Sequence, residues 1–234
     1  MPLQSVRHLH GCVIHAQDGD LGHIDQFYFD DATWTLRYLV VRTGSWLLRN
    51  KVLIPAAAIA NVDSDDCQFK VNLTCRQINE SPSIETHRPV SRRWEAELHR
   101  YYSWPAYWDS AILEPLTIID VPEPPVSDED THLQSTHDLV GYHIEGDGGK
   151  IGRLADFLID ASSRAIAYLD IDTRDRATHR HILFPPAAID RLDWESARAH
   201  TTLTASFLSN APSYNPAIPL PEEIESQVRA FYAD

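Results

Sequence analysis

The sequence predicts a mainly β protein that contains two small β-barrels from an internal duplication, each followed by short α-helices. Two observations lead to this fold class. The chain repeats itself along its length, and each repeat carries short strand patterns before a helical stripe. Of its 234 residues 43% are hydrophobic, enough to bury the cores of two small domains.

The repeat becomes visible when the sequence is shifted by 130 residues. Positions 3–102 then match positions 133–232 without a gap, and about a quarter of the paired residues are identical. The shared strings include Leu-Gln-Ser at 3–5 and 133–135, and Pro-x-Ala-Ala-Ile at 55–59 and 185–189. Self-similarity at a fixed period is the signature of a duplicated structural unit.

The duplication predicts three parts. They are a first repeat with C-terminal helices over residues 1–108, a linker over 109–131, and a second repeat with a C-terminal helix over 132–234. The linker contains a proline-rich stretch followed by the acidic run Ser127–Asp130. Proline favours an extended spacer and the acids keep it solvated. An acidic docking segment for a basic partner is the alternative interpretation.

Short strand patterns dominate each repeat. In the first repeat, Gln68–Leu73 alternates polar and apolar residues, and Leu36–Arg42 is rich in β-branched and aromatic side chains. Ala165–Ile171 has the corresponding pattern in the second repeat. Because Gly and Asp separate such patterns at short intervals, we expect each repeat to form a closed or nearly closed barrel.

Each barrel is expected to end in helices. Thr74 and Gln77 have the spacing of a capping box, which predicts a short helix after Thr74. Further helices are predicted by apolar stripes at helical spacing, namely Trp94, Leu98, Tyr101 and Tyr102 in the first repeat and Ile224, Val228, Phe231 and Tyr232 in the second. We expect these stripes to pack on the barrels, with a protein-binding groove as the alternative.

Composition excludes several partners. The 34 acidic and 20 basic residues give a formal charge of −14, whereas contacts to nucleic acid phosphates need Lys and Arg. The longest apolar run, 52–60, contains Pro55 and is far shorter than the roughly 20 residues of a membrane span. Three cysteines are too few and odd in number for a disulfide framework, so we expect reduced thiols and a cytoplasmic location.

Histidine offers the only metal-ligand spacing. The pairs His8-x-His10 and His179-x-His181 would each place two imidazoles on one face of a strand. A tight zinc site needs a third and usually a fourth ligand, and none lies nearby at motif spacing. We therefore expect no metal site and no cofactor, with these four histidines as weak candidates.

No motif of catalysis is present. The sequence contains neither a phosphate-binding loop nor a nucleophile elbow, so we do not expect an enzyme. Asp170 and Asp172 occupy the positions of Val40 and Arg42 in the first repeat. Because arginines surround them in the sequence, we interpret these acids as surface ion pairs. An ion or ligand site unique to the second repeat is the alternative.

Five aromatic rings lie between residues 101 and 108, where a flexible linker would carry few. We expect this segment to pack down and clasp the two barrels together. Alternatively, Trp104, Tyr107 and Trp108 are anchors for a partner protein, since Trp and Tyr dominate interface hot spots.

The residues from Leu21 to Phe27, followed by Asp30, the strand Arg37–Val41 and Lys51–Pro55, resemble the PRC-barrel family. This family is named for the cytoplasmic domain of the photosynthetic reaction-centre H subunit. The prolines and aromatics of 82–108 are similar to those of bacterial proteins with two such barrels in tandem. The resemblance implies compact barrels of about six strands that act mainly as protein-docking adaptors and carry no catalytic motif.

These observations together predict a non-enzymatic adaptor that docks an unidentified protein partner. We expect a monomer with pseudo-two-fold symmetry or a weak homodimer, because a fused pair of copies often replaces a homodimer. Asp170 and Asp172 join the three aromatics as candidate partner-binding residues. A ligand- or metal-responsive sensor, which uses the histidine pairs or the divergent face of the second barrel, is the alternative.

Overall fold

A computed structural model of the chain describes residues 3–43, 50–63, 66–81, 92–104, 133–173 and 180–233. The first half contains β1 (Gln4–Ser5), α1 (Val6–Leu9), β2 (Val13–Ala16), β3 (Gly19–Asp30), β4 (Thr35–Thr43), β5 (Asn50–Pro55), β6 (Ile59–Asp63), β7 (Gln68–Val71), α2 (Cys75–Asn79) and α3 (Arg92–Tyr102). The second half contains β8 (Leu133–Ser135), α4 (Thr136–Leu139), β9 (His143–Asp147), β10 (Gly149–Asp160), β11 (Ala165–Asp172), β12 (His181–Phe184), β13 (Arg191–Asp193), β14 (Arg198–Thr204), α5 (Ala205–Leu208), β15 (Ser213–Tyr214) and α6 (Glu222–Ala233). The chain is therefore mainly β, as the alternating patterns predicted.

The same order of strand pairing occurs in both halves. In the first half the order is β6-β7-β2-β3-β4-β5, and in the second it is β13-β14-β9-β10-β11-β12. The pairs β2–β7 and β9–β14 are parallel, and the other neighbours in the two rows are antiparallel. The strands of the two halves form one continuous sheet, since β4 and β11 also pair.

The sheet is not closed, so of the expected closed or nearly closed barrels the closed form is wrong. Closure of the first half would require β5 to pair with β6, and no such pair occurs among the described strands. The 3₁₀ turn Ala56–Ala58 links these two strands and carries the chain around a corner. Ala56 and Ala58 are buried in this turn, so the turn faces the core. A hairpin would instead have held β5 and β6 side by side.

The first strand of each half adds to the sheet of the other half. β1 pairs with β10, where Gln4 lies opposite Ile159, and β8 pairs with β3, where Gln134 lies opposite Phe29. We call this reciprocal arrangement the strand exchange. It relates the halves by an approximate two-fold axis, and separating them would break main-chain pairing at both strands.

A second reciprocal contact joins the turns that precede β4 and β11. The Leu36 N–H donates to the Arg164 carbonyl at 2.7 Å, and the Ile166 N–H donates to the Trp34 carbonyl at 2.9 Å. Trp34 and Arg164 are separated by the repeat length and adopt positive φ values of 52° and 60°. The two turns therefore fix each other across the axis.

One apolar core extends through both halves. Phe29 of β3 and Phe157 of β10 lie with their ring centroids 5.8 Å apart, and both side chains are buried. Close packing of neighbouring strands explains a glycine that occurs in both halves. A Cβ on Gly22 would lie 2.1 Å from the Arg42 carbonyl oxygen, and a Cβ on Gly152 would lie 2.5 Å from the Asp172 carbonyl oxygen. Only glycine permits the long strands to approach their neighbours this closely.

The predicted capping box is confirmed. Thr74 accepts a hydrogen bond from the Gln77 N–H at 3.2 Å, and the Gln77 side chain accepts one from the Thr74 N–H at 2.9 Å. The helical stripes also pack on the sheets, because Leu98 of α3 and Val228 of α6 are fully buried. The side chain of Trp94 lies outside the described residues.

Two of the three cysteines pair, against the expectation of reduced thiols. Cys12 and Cys67 form a disulfide with their Cα atoms 4.8 Å apart, although 55 residues separate them in sequence. The parallel pairing of β2 and β7 brings them together, and sequence spacing does not reveal such a pairing. Cys75 is a free thiol. No helix among the described residues is long and apolar enough to cross a membrane.

Candidate functional site at the junction of the two halves

A groove of about 370 Å³ lies where the halves meet, and we call it the axial groove. Its lining consists mainly of residues that occupy equivalent positions in the two repeats: Val6 and Thr136, Arg7 and His137, His10 and Val140, Asp25 and Ala155, Gln26 and Asp156, together with Phe27. α1 and α4 line it because the strand exchange carries each of these helical turns across to the other half.

Two equivalent serines hold these turns. The Ser5 hydroxyl accepts from the His8 N–H at 3.3 Å and donates to the Asp156 carboxylate of the other half. The Ser135 hydroxyl accepts from the His137 N–H at 3.1 Å and donates to the Gln26 side chain at 2.7 Å. Each serine therefore caps its own helix and joins the two halves.

The two sides of the axial groove differ in chemistry. Asp156 carries a carboxylate where the first half has Gln26, and it also accepts the backbone N–H of Arg7 at 3.2 Å. The Arg7 guanidinium donates to the Ala155 carbonyl at 3.0 Å, which holds the cation at the rim. The groove is thus built symmetrically but carries different polar groups on its two sides.

The axial groove combines an apolar surface with basic and imidazole side chains. Val140 is 46% exposed, one of the few large apolar side chains left open to solvent among the described residues. Arg7, His10 and His137 also line the groove. Asp25 is neutralised by Arg42 and Lys51, whose nitrogens lie 3.0 and 2.9 Å from its oxygens. Such a groove suits a short protein segment with an apolar anchor and an adjacent acidic group.

The divergent face of the second half contains a buried acid, so the interpretation of Asp170 as a surface ion pair is wrong. Asp170 is fully buried, and its Oδ1 lies 2.7 Å from the Nδ1 of His181. Its Oδ2 has no hydrogen-bond partner among the residues that the structure describes. β11 lies between β10 and β12, and a cluster that includes Tyr214 and Val228 packs on the sheet there.

Burial raises the pKa of Asp170 to about 6, while the hydrogen bond from His181 and its charge act in the opposite direction. Asp156 lies directly opposite on β10, and its charge raises the pKa of Asp170 further. Asp172 lies at the end of β11 and is half-buried. The acids therefore stand in different environments, and only Asp170 belongs to a buried pair.

Among the described residues, the candidate histidines do not form a shared site. His8 lies in α1 and His10 directly after it, both exposed, so they do not occupy one strand face as expected. His181 lies on β12 and is engaged by Asp170, while His179 lies outside the described residues. Within the described ranges, no three His, Cys, Asp or Glu side chains are placed to hold a metal ion.

Of the three candidate aromatic anchors, the structure describes Trp104. Its ring stacks on Tyr102 with centroids 4.6 Å apart, and its backbone N–H donates to the His99 carbonyl at 2.9 Å. Tyr107 and Trp108 lie outside the described residues, so the clasp hypothesis stays a prediction. Sequence reasoning missed the axial groove, because it used the repeated Leu-Gln-Ser only as a marker of the repeat.

A buried polar triad recurs in altered form in the two halves. In the first, the Tyr38 hydroxyl lies 3.0 Å from both the Glu95 carboxylate and the His99 Nε2. In the second, Tyr168, Glu225 and Arg229 occupy the equivalent positions, with Arg229 bonded to both others. Glu95 is fully buried, whereas the Arg229 side chain is 72% exposed. The first triad is therefore enclosed and the second is open to solvent.

Comparison with known families places part of the chain. Residues 12–74 match the family model of the PRC-barrel domain. No curated protein matches the chain significantly. The matched segment runs from just before β2 to the residue that caps α2, and it contains the β6-β7-β2-β3-β4-β5 strand order. The match to the PRC-barrel domain therefore covers the six-strand row of the first half.

Proposed function

We propose that this chain is a non-enzymatic adaptor that docks a segment of a protein partner in the axial groove. The observation that carries the proposal is the groove itself, because equivalent residues of both halves line it and it depends on the strand exchange. PRC-barrel domains are commonly protein-interaction modules, which agrees with a docking role. The expected partner segment has an apolar anchor and an acidic neighbour, since Val140, Arg7 and His137 line the same groove.

The second half belongs to the proposal as a second PRC-type barrel. Its support is the recurrence of the six-strand order and of residues that contact the axis, such as Ser5 and Ser135. The division into repeats over 1–108 and 132–234 with a linker over 109–131 follows from the same duplication. The likeness to the reaction-centre H subunit concerns the barrel alone, and we propose no photosynthetic role.

Oligomeric state and location complete the proposal. Each half already finds its two-fold partner within the chain, which favours a monomer with pseudo-two-fold symmetry over a homodimer. We also propose a bacterial protein in the cytoplasm, although the Cys12–Cys67 disulfide removes reduced thiols as an argument for that location. The single disulfide lies partly in the core, since Cys12 is 1% exposed.

The test compares two equally exposed apolar side chains. Val140 in the axial groove is 46% exposed, and Ile218, outside the groove, is 47% exposed. The full-length wild type, Val140→Lys and Ile218→Lys would each be immobilised and exposed to extract of the source cells. A partner that the wild type and Ile218→Lys retain and Val140→Lys loses is the result expected from docking in the groove.

Equal thermal melting of the three proteins is the control for folding. If Val140→Lys retains the partner as well as Ile218→Lys does, the docking surface is elsewhere. Peptides spanning the captured partner then identify the bound segment, and replacing its acidic residue by the amide should weaken binding to the wild type. If this replacement leaves the affinity unchanged, the proposed role of Arg7 and the histidines is wrong.

A further inference from the structure

A second pocket, of about 320 Å³, lies beside the contact between β4 and β11. It is lined by residues of both halves, and Leu36, Pro55, Ala57 and Trp104 form its apolar part. Its volume is at the lower end of the range of small-molecule sites, which is about 300–1,000 Å³. We call it the arginine pocket because Arg37 and Arg164 also line it.

The two arginines differ in what neutralises them. Arg37 forms an ion pair with Asp30, with an N–O distance of 3.2 Å. Arg164 has no carboxylate partner in the described parts of the chain. Its backbone is fixed by a hydrogen bond from Leu36 at 2.7 Å to its carbonyl and by its own N–H bond to the Asp160 carbonyl at 2.7 Å. The guanidinium of Arg164 is therefore an uncompensated cation on a fixed backbone.

The neighbouring polar groups of the pocket are fixed as well. Tyr38 donates its hydroxyl hydrogen to Glu95, so its oxygen accepts from the Nε2–H of His99. Trp104 is held by Tyr102 and by the His99 carbonyl. No Asp or Glu lines the pocket within the described residues, although the whole chain carries a formal charge of −14.

The equivalent positions of the other half do not repeat this arrangement. Trp34 stands where the second half has Arg164, and its ring stacks on Phe29 with centroids 5.2 Å apart. Arg229 stands where the first half has His99, and it is mostly exposed. The arginine pocket therefore has no counterpart of the same chemistry in the other half. Its cation, Arg164, and its imidazole, His99, each come from a position at which the halves differ.

We propose that the arginine pocket binds a small aromatic carboxylate, with the carboxylate on Arg164 and the ring against Trp104. A guanidinium presents paired N–H donors that match both oxygens of a carboxylate. The flat apolar wall accepts a ring, and indole is a good surface for aromatic stacking. This inference does not depend on the adaptor function, since the axial groove has no residue in common with the pocket.

The test uses the full chain with 2-naphthoate as the probe, measured by isothermal titration calorimetry. The neutral 2-naphthamide and inorganic phosphate are matched probes that each lack one of the two recognition elements. We expect naphthoate to bind at least about tenfold more tightly than either, because a charge-assisted bidentate contact contributes that much. Equal binding of naphthoate and naphthamide overturns the role of the cation, and no binding of naphthoate overturns the site.

Two variants locate the site. Arg164→Asn removes the charge while asparagine tolerates the positive φ of 60°. It should weaken naphthoate binding at least about tenfold, and Arg164→Lys should restore part of it. Arg191→Asn, on the exposed edge strand β13, is the control and should bind as the wild type does. If Arg164→Asn binds naphthoate as tightly as Arg191→Asn does, the proposal is wrong.

Discussion

The carboxylate of Asp170 lies 2.7 Å from the imidazole of His181, inside a sheet that buries the acid completely. At the equivalent position of the first half stands Val40, which is buried in the same manner. One half thus has an ionisable pair where the other has an aliphatic contact. The pair therefore makes stability depend on pH at this position of the second half, whereas Val40 has no such effect in the first half.

The first prediction follows from this pair. The pKa of Asp170 is raised from 3.8 to about 6 in the folded chain, so its contribution to stability is present below about pH 4 and is lost as the pH rises through about 6. Asp170→Asn mimics the neutral acid and lacks this loss. The free energy of unfolding in urea of Asp170→Asn minus that of the wild type should increase by on the order of 2 kcal/mol between pH 4 and pH 7.5. Asp172→Asn is the control, and parallel curves for the wild type and Asp170→Asn contradict the prediction.

The disulfide carries the second prediction. Closing a chain segment of this length restricts the unfolded state, which typically stabilises a protein by about 2–4 kcal/mol. Cys12→Ala with Cys67→Ala should therefore lower the free energy of unfolding by that amount, and dithiothreitol should do the same to the wild type. Alanine suits the second position, because Ala197 occupies the equivalent turn with a φ of 51°. Cys75→Ser should change the free energy of unfolding by less than about 0.5 kcal/mol. If Cys75→Ser loses as much stability as the double variant, the disulfide is not the cause of the loss.

The third prediction concerns the serine between the halves. Ser135→Ala removes the cap of α4 and leaves the buried Gln26 side chain without its hydroxyl donor. A lost cap and an unsatisfied buried acceptor together cost on the order of 2 kcal/mol. Chemical denaturation measures this loss against Ser196→Ala, whose serine is exposed in the turn before β14. Equal stability of the two variants would mean that the exchanged segment contributes little.

The strand exchange gives the fourth prediction. A fragment of residues 1–108 retains β1 but lacks β10, and its β3 lacks β8. Because unpaired strands and the open core around Phe29 are unfavourable in water, the fragment should self-associate, with each copy supplying β1 to its neighbour. Analytical ultracentrifugation measures this. A monomer that melts cooperatively at all concentrations would contradict it, and addition of the fragment 132–234 should convert the assembly into a one-to-one complex.

Local features of the fold could be predicted from the sequence. The capping box of Thr74 and Gln77 and the burial of Leu98 and Val228 follow from spacing along a few turns of chain. The repeat likewise predicted that the strand order of one half would recur in the other. These features depend on neighbours in sequence, where periodicity and hydrogen-bonding capacity are informative.

The features that sequence reasoning missed depend on contacts between distant residues. The pairing of Cys12 with Cys67 requires the parallel contact of β2 and β7, and no pattern in either strand specifies its partner. The burial of Asp170 requires knowing that β11 is an inner strand, and the acid itself suggests a surface. The axial groove depends on the strand exchange, and the arginine pocket depends on the contact between the turns that precede β4 and β11. Both bring together residues more than 100 positions apart.

The unlike walls of the axial groove have a consequence for any partner. In a symmetric dimer, both sides of an axial groove would carry the same groups, and a bound peptide could lie in either of two equivalent directions. Here Asp156 and Ala155 of the second half correspond to Gln26 and Asp25 of the first, so the two directions place a peptide's charges against different groups. The groove is therefore able to distinguish the two N-to-C directions of a bound peptide, and thereby to fix the orientation of a docked protein.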